Sequence, residues 1–311
     1  MALKIKAFFQ LVRWPNMVFI ALTQWLFYHC IIEKKLLAAN VLPNLDNKNL
    51  PLLIFASVCI AAAGNIINDY FDINIDRINK PNKVIIGKII SRRWAIIWHI
   101  LLSSAGVATS FYLDFTTPIA FLGWLNLACV LLLFAYSITF KKQLLSGNIL
   151  ISLLTAWVVV VLSFCELSHL TIIDNAIGLS LSRLTFLYAG FACIISIIRE
   201  AIKDMEDVEG DERYGCKTMP IVWGIQATKV FVSTWLIVLI VTLAVVQVYA
   251  LQKGWWHSVV YCVLAVLMPL VVVLYRLFAA RQAAQFHALS SIIKLAMLTG
   301  ILSMVFFYFY Y

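Results

Sequence analysis

Apolar stretches of about 18 residues or more recur along the chain, separated by short polar connections. Each is long enough to cross the roughly 30 Å hydrocarbon core of a bilayer as a helix. The pattern predicts nine spans, at about 14–32, 51–68, 94–113, 117–139, 148–165, 184–203, 227–250, 256–275 and 289–309. The runs are continuous rather than alternating, which selects helices over barrel strands. Lipid offers no other choice, because it leaves open backbone groups unsatisfied. The expected fold class is all-α: a polytopic membrane protein forming one helical bundle. The connections at 33–50 and 166–183 are longer than turns but carry no clustered chemistry.

Composition agrees with this reading. Of the 311 residues, 63% are hydrophobic and only 13% charged, and the mean hydropathy is +0.94. A soluble domain of this length needs far more polar surface. The first apolar stretch has no small-residue cleavage site and is followed by further spans, so it reads as a span and not as a cleaved leader.

The charge of +9 changes the picture by its distribution. With the N-terminus inside, the inner segments hold Lys4, Lys6 and Arg13, then Arg77, Lys80, Lys83, Lys88, Arg92 and Arg93. They also hold Lys141, Lys142, Arg199, Lys203, Arg213, Lys217, Lys229, Arg276 and Arg281. The outer segments hold Lys34, Lys35, Lys48, Arg183 and Lys253. This bias follows the positive-inside rule, and the charge is mostly a topology signal. Nucleic acid is excluded as a partner, since the basic residues are scattered over short loops. The cysteines are scattered too and form no CxxC pair, which points to packing and not to a metal or disulfide framework.

Polar chemistry concentrates in two places. "GNIINDYFDINIDRINKPNK" begins at Gly64 and carries Asp69, Asp72 and Asp76. "REAIKDMEDVEGDERYGCKTMP" begins at Arg199 and carries Asp204, Asp207 and Asp211. Both triads have spacings of three and four, both sit at the inner end of an even-numbered span, and they are 135 residues apart. A pseudo-repeat of about 1–140 and 141–311 would leave this trace; two acidic loops alike by chance are the plain alternative. On a helix such positions share a face. Asn68, Asp72 and Asp76, with Asn65 one turn before, form an alternative ridge. One ionised carboxylate within a span costs about 2.5–3.5 kcal/mol or more, so a positive partner is required. Lys and Arg supply part of it. Mg²⁺ suits the rest, being held by one or two carboxylates plus substrate phosphates. Lys80, Lys83, Lys141, Lys142, Arg199 and Lys203 fall on the same side and are candidates for phosphate oxygens.

"NDYFDINID" has the form NDxxDxxxD, and "DMEDVEGD" the form DxxDxxxD, followed by Gly215, Thr218 and Pro220. Together they resemble the UbiA superfamily of intramembrane prenyltransferases, over essentially the whole chain. Arg13 and Asn16 resemble the Arg-x-x-Asn of that family's first helix, and "YSITFKK", Tyr136 to Lys142, its loop after helix four. The resemblance implies nine helices around a cavity open to the cytoplasmic side. It also implies transfer of an isoprenyl chain from a polyprenyl diphosphate to a small acceptor, with two Mg²⁺ ions as cofactors. Carried over by position, Asn68, Asp72 and Asp76 would ligate one ion, and Asp204, Asp207 and Asp211 would supply the other. Asp69 would either ligate or orient a basic neighbour. Arg13, Asn16, Asn65, Lys80, Lys83, Tyr136, Lys141, Arg199 and Lys203 fall to substrate binding. The implied location is the inner cell membrane, with the N-terminus and active site facing the cytoplasm.

Two other classes fit less well. A metal-dependent phosphatidyltransferase would carry Asp-Gly-x-x-Ala-Arg, which is absent. A cation transporter places its acids near the midplane at broken helices, whereas these lie at helix ends beside Lys and Arg. Within the superfamily, "VEGDERYGCKTMPIVWG" resembles the branch of geranylgeranylglyceryl-phosphate prenyltransferases and chlorophyll synthases. That branch usually carries Arg-Pro where this chain has Lys83-Val84. The expected acceptor is a glycerol-phosphate-type lipid precursor, with an aromatic quinone precursor as the alternative.

Overall fold

The computed structural model describes residues 2–82, 84–166 and 175–310. Nearly all of them are helical; the only strand-like feature among the described residues is an isolated bridge between Ile86 and Ile90. In chain order the helices are α1 (Ala2–Leu11), α2 (Trp14–Ala38), α3 (Asn49–Phe71), α4 (Ile73–Asn79), α5 (Arg92–Thr116), α6 (Leu122–Ile138) and α7 (Ser146–Cys165). They continue with α8 (Asn175–Glu206), α9 (Val208–Arg213), α10 (Met219–Val222), α11 (Gly224–Gln252), α12 (Trp256–Leu277) and α13 (Ala283–Tyr310). Eight are long and apolar enough to cross a membrane: α2, α3, α5, α7, α8 from Gly178, α11, α12 and α13. The expected span at 117–139 is α6, an apolar helix of 17 residues.

The helices overrun most predicted edges, and local chemistry sets where they stop. α6 starts later than the hydropathy pattern because Pro118 follows an extended Thr117. Its first free N–H groups, at Leu122 and Gly123, donate to the Asp114 carboxylate at 2.9 and 2.8 Å. α2 absorbs part of the expected 33–50 connection by running through a π-turn, Tyr28–Ile32. Residues 167–174 of the other long connection lie outside the described residues.

The chain divides into two compact units. Unit one comprises 1–141 and 157–186. Its centre is α3 against α5, where Gly106 lets the helices close: a Cβ there would lie 2.9 Å from the Ala56 carbonyl oxygen. Below them Leu11, Val12, Met17, Ala62, Ile66 and Ile73 form an apolar cluster that seats α1. Several polar groups inside the unit pair with one another across helices: Asn126 donates to Ser110 at 2.8 Å, and Gln24 to Ser57 at 2.9 Å. At the end of α3 remote from Asp72, the fully buried Glu166 carboxylate accepts the N–H groups of Asn44 and Leu45 at 2.9 and 3.0 Å.

Unit two comprises 142–156 and 187–311. Ile195, Ile202, Leu236, Leu270, Phe286 and Ile293 mark its core. Lys229, 1% exposed, ends against the carbonyls of Phe278 and Ala280 at 3.2 and 2.5 Å, so it satisfies acceptors left at the end of α12.

Candidate active site

In unit one the polar cluster is built on the join between α3 and α4. α3 ends at Phe71, Asp72 stands at the break with φ −87° and ψ −1°, and α4 resumes at Ile73. The hydrogen bonds from Asp72 N–H to the Asn68 carbonyl, 3.0 Å, and from Asp76 N–H to the Asp72 carbonyl, 2.8 Å, carry the helical path across. Asp69, Asp72 and Asp76 thus stay on neighbouring turns despite the break.

Each acid in this row has a defined setting. Asp72 is 2% exposed; Asn68 Nδ2 donates to its Oδ2 at 2.8 Å, and Lys141 Nζ pairs with the same oxygen. Arg13 Nη2 donates to Asp69 Oδ1 at 2.6 Å. Burial, with the Asp72 and Asp69 carboxylates behind it, pushes Asp76 up to about 6, against the opposing pull of Lys141 and Lys80. Burial alone would favour a neutral Lys141, but the Asp72 and Asp76 carboxylates hold its ammonium well above the usual lysine range.

Arg13 reaches Asp69 by a strained route. It occupies the left-handed region, φ 55° and ψ 56°, between α1 and α2. That conformation costs an ordinary residue about 1–2 kcal/mol. Among the contacts that hold it are the ion pair itself, Asn65 Nδ2 donating to the Val12 carbonyl at 3.0 Å, and the Arg13 N–H donating to the Gln10 carbonyl at 3.0 Å. Asn16 sits half-buried one turn into α2. Lys80 ends α4, and Tyr136 lies half-buried on α6 near Lys141. Lys83 lies outside the described residues.

Unit two repeats the break. α8 ends at Glu206, Asp207 stands at the join with φ −100° and ψ 8°, and α9 resumes at Val208. Asp207 N–H bonds to the Lys203 carbonyl at 2.9 Å and Asp211 N–H to the Asp207 carbonyl at 3.2 Å. Asp211 is 7% exposed. Asn148 Nδ2, from the first turn of α7, donates to Asp204 Oδ2 at 2.8 Å.

The two basic residues expected to meet phosphate here are engaged with Glu200. Arg199 Nη1 approaches it at 3.1 Å and Lys203 Nζ at 3.0 Å. Sequence reasoning named neither Glu200 nor Asn148. Glu200 had a visible signal, since it lies three residues before Lys203 on a helix. Asn148 had one too: Arg13 and Asn148 are 135 residues apart, the same offset as Asp69 and Asp204.

The side chains present suit Mg²⁺. No group of three or more His, Cys, Asp or Glu converges as a ready metal cage among the described residues. Mg²⁺ asks for less than that, one or two carboxylates completed by water and phosphate. Asn68 Oδ1 is buried without a hydrogen-bond partner, while its amide nitrogen already holds Asp72. A hard oxygen left unpaired beside a buried carboxylate is the donor set such an ion takes.

A profile described as the UbiA prenyltransferase family matches residues 35–298. The chain belongs to the UbiA prenyltransferase family. It is 30% identical over 240 residues to a digeranylgeranylglyceryl phosphate synthase of Pyrococcus abyssi, 77% of each chain. A synthase of the same name from Thermococcus sibiricus is 35% identical over 179 residues, 57% of this chain and 58% of that protein. A UbiA homolog from Archaeoglobus fulgidus, solved with DMAPP and Mg²⁺, has the same fold. Its TM-score is 0.57 at 16% identity, covering 96% of this chain and 98% of the other. Family membership and the apolar helices together make the chain a multi-pass membrane prenyltransferase.

Proposed function

We propose that the protein transfers an isoprenyl chain from a polyprenyl diphosphate to the hydroxyl of a glycerol-phosphate-type lipid precursor. The observation that carries the reading is the cluster at Asp72: a buried carboxylate held by Asn68 and Lys141, with Asn68 Oδ1 unpaired beside it. The relatives named digeranylgeranylglyceryl phosphate synthase support the acceptor class.

In this reading Asn68, Asp72 and Asp76 hold one Mg²⁺, and Asp204, Asp207 and Asp211 supply a second. Bound Mg²⁺ contributes Lewis-acid neutralisation of the leaving diphosphate. The chain's own groups do the rest. Lys141, Lys80, Lys83 and Arg13 add positive charge where the allylic C–O bond breaks and its electron pair leaves with the diphosphate. Arg199 and Lys203 do so from α8, held in place by Glu200. The acceptor hydroxyl forms the new C–O bond and gives its proton to the released diphosphate. Apolar helices keep water from the allylic cation, and Tyr136 offers it an aromatic face.

The halves, about 1–140 and 141–311, form a pseudo-repeat within one functional domain. Equal spacing and matched helix breaks support it. The distribution of Lys and Arg supports an inner cell membrane location, with the N-terminus and the acids on the cytoplasmic side.

The test is mass spectrometry of products from the purified protein in nanodiscs, with a panel of allylic diphosphates and acceptors, with and without Mg²⁺. A Mg²⁺-dependent ether of a glycerol-phosphate lipid is expected. Prenylation of only an aromatic acid would replace the acceptor assignment, and no transfer to any acceptor would overturn the enzyme reading.

A further inference from the structure

The offset that relates the two acidic triads also relates the residues gripping them. In unit one the first acid, Asp69, takes a guanidinium N–H from Arg13 at 2.6 Å. In unit two the first acid, Asp204, takes an amide N–H from Asn148 at 2.8 Å. Both donors sit where the first long helix of their unit begins, and both helices start from a left-handed, non-glycine turn: Arg13 itself at φ 55°, and Leu145 at φ 61°. The architecture is the same, but one donor carries a full charge and the other is neutral.

That difference decides what each carboxylate can still do. A guanidinium satisfies the charge of Asp69. An amide fixes the orientation of Asp204 by engaging Oδ2 and brings no positive charge of its own. Asn148 is itself buried, 7% exposed, in an apolar helix. One turn further along α7, the Ser152 hydroxyl is fully buried and has no hydrogen-bond partner. Unit two therefore presents a carboxyl group oriented by a neutral donor, and the helix that supplies the donor also carries an unsatisfied polar group.

We propose that Asn148 is a positioning residue for the cation of the second cluster: it aims Asp204 as a ligand without neutralising it, in the place where unit one uses Arg13 to take Asp69 out of metal binding. The inference rests on the two-ion reading above and adds an unequal division of labour. Asp204 is a ligand by way of Asn148, and Asp69 is the anchor of Arg13.

The experiment measures Mn²⁺ binding by electron paramagnetic resonance on the purified full chain in nanodiscs, with pyrophosphate present and no prenyl donor. Wild type is expected to bind two ions. Asn148→Leu removes the amide, Asn148→Ser shortens it with least disturbance, and Asn148→Arg copies the unit-one donor. Each is expected to weaken one ion about tenfold, the usual lower bound for losing a group that orients a ligand, and to leave the other unchanged. Asn148→Arg is expected to show the largest loss. In turnover assays the KM for Mg²⁺ should rise with the KM for the donor unchanged, and Asn148→Gln should restore part of it. Arg13→Asn should leave both ions bound. Unchanged Mn²⁺ affinity in Asn148→Leu or Asn148→Ser overturns the inference while leaving the enzyme reading intact. Equal loss of both ions overturns it as well, since a general packing role would do that. A wild type that binds no Mn²⁺ overturns the two-ion reading and this inference together.

Discussion

The break at Asp72 and the break at Asp207 use the same backbone device with different companions. Each interrupts a long apolar helix at the middle acid of a triad while the helical hydrogen bonds run on across the join. In unit one, Lys141 and Arg13 come from elsewhere in the sequence and grip the acids directly. In unit two, Arg199 and Lys203 come from the same helix as the acids and grip Glu200 instead. The lesson is that the spacing of acids sets where charge accumulates, whereas distant residues set how much of it remains available.

The largest test of this comparison removes the middle acids. Asp72→Asn and Asp207→Asn should each lower turnover by about a thousandfold, the upper range for losing one group that stabilises developing charge. The variants should remain inserted and monodisperse by size exclusion. If only one abolishes turnover, the two breaks do not share a function.

Next comes the ion pair. Lys141→Met leaves the Asp72 carboxylate buried with the Asn68 amide on it but without the Lys141 ammonium. Full burial would cost about 3–5 kcal/mol; because the Lys141 side chain is 30% exposed, about 2 kcal/mol is expected, read as a lower Tm without metal. Adding Mg²⁺ should recover much of that loss, because a cation replaces the missing ammonium. A deficit that Mg²⁺ leaves untouched would mean Lys141 is only a packing residue.

Proton competition sharpens the picture further. Asp76 ionises near 6 in the folded chain, above the ordinary 3.8. Without metal, its contribution to stability is therefore complete below about pH 4 and lost as pH rises through about 6. Metal binding runs the opposite way, since a ligand must be ionised. Mg²⁺ affinity at the first cluster should fall about tenfold per pH unit below pH 6, measured by titration calorimetry, and flatten above it. Asp76→Asn should erase that slope.

The smallest effect belongs to Arg13. Its side chain is 39% exposed, so Arg13→Ala should change stability by less than about 1 kcal/mol. Relief of the left-handed strain belongs to Arg13→Gly alone. Both variants should raise the KM for the diphosphate while kcat changes less. An unchanged KM would make Arg13 a hinge residue only.

Much of this was legible in the sequence, and the reasons are specific. Spans such as α3 and α11 announce themselves because nothing but lipid tolerates such continuous apolar runs. The triads were legible because acids are expensive there. The start of α6 was not, because the cap that fixes it, Asp114, lies on the preceding helix across a turn. The αL entry at Arg13 was not either, since no glycine marks it. Asn148 is one polar residue in an apolar helix, and only its 135-residue offset from Arg13 sets it apart from packing. Lys141 was recognised through its motif, yet its choice of Asp72 depends on how α6 returns beside α3.

The Glu166 clasp has a consequence for how the molecule breathes. It ties the loop ahead of α3 to the end of α7, about 34 Å from Asp72 by the length of the 23-residue helix between them. Peptide groups at Asn44 and Leu45 that donate to a fully buried carboxyl give up those bonds at high cost. Unit one is thus fastened at this pole by a carboxylate shared between two successive peptide groups. Separating the loop ahead of α3 from the end of α7 would have to break both of these bonds together.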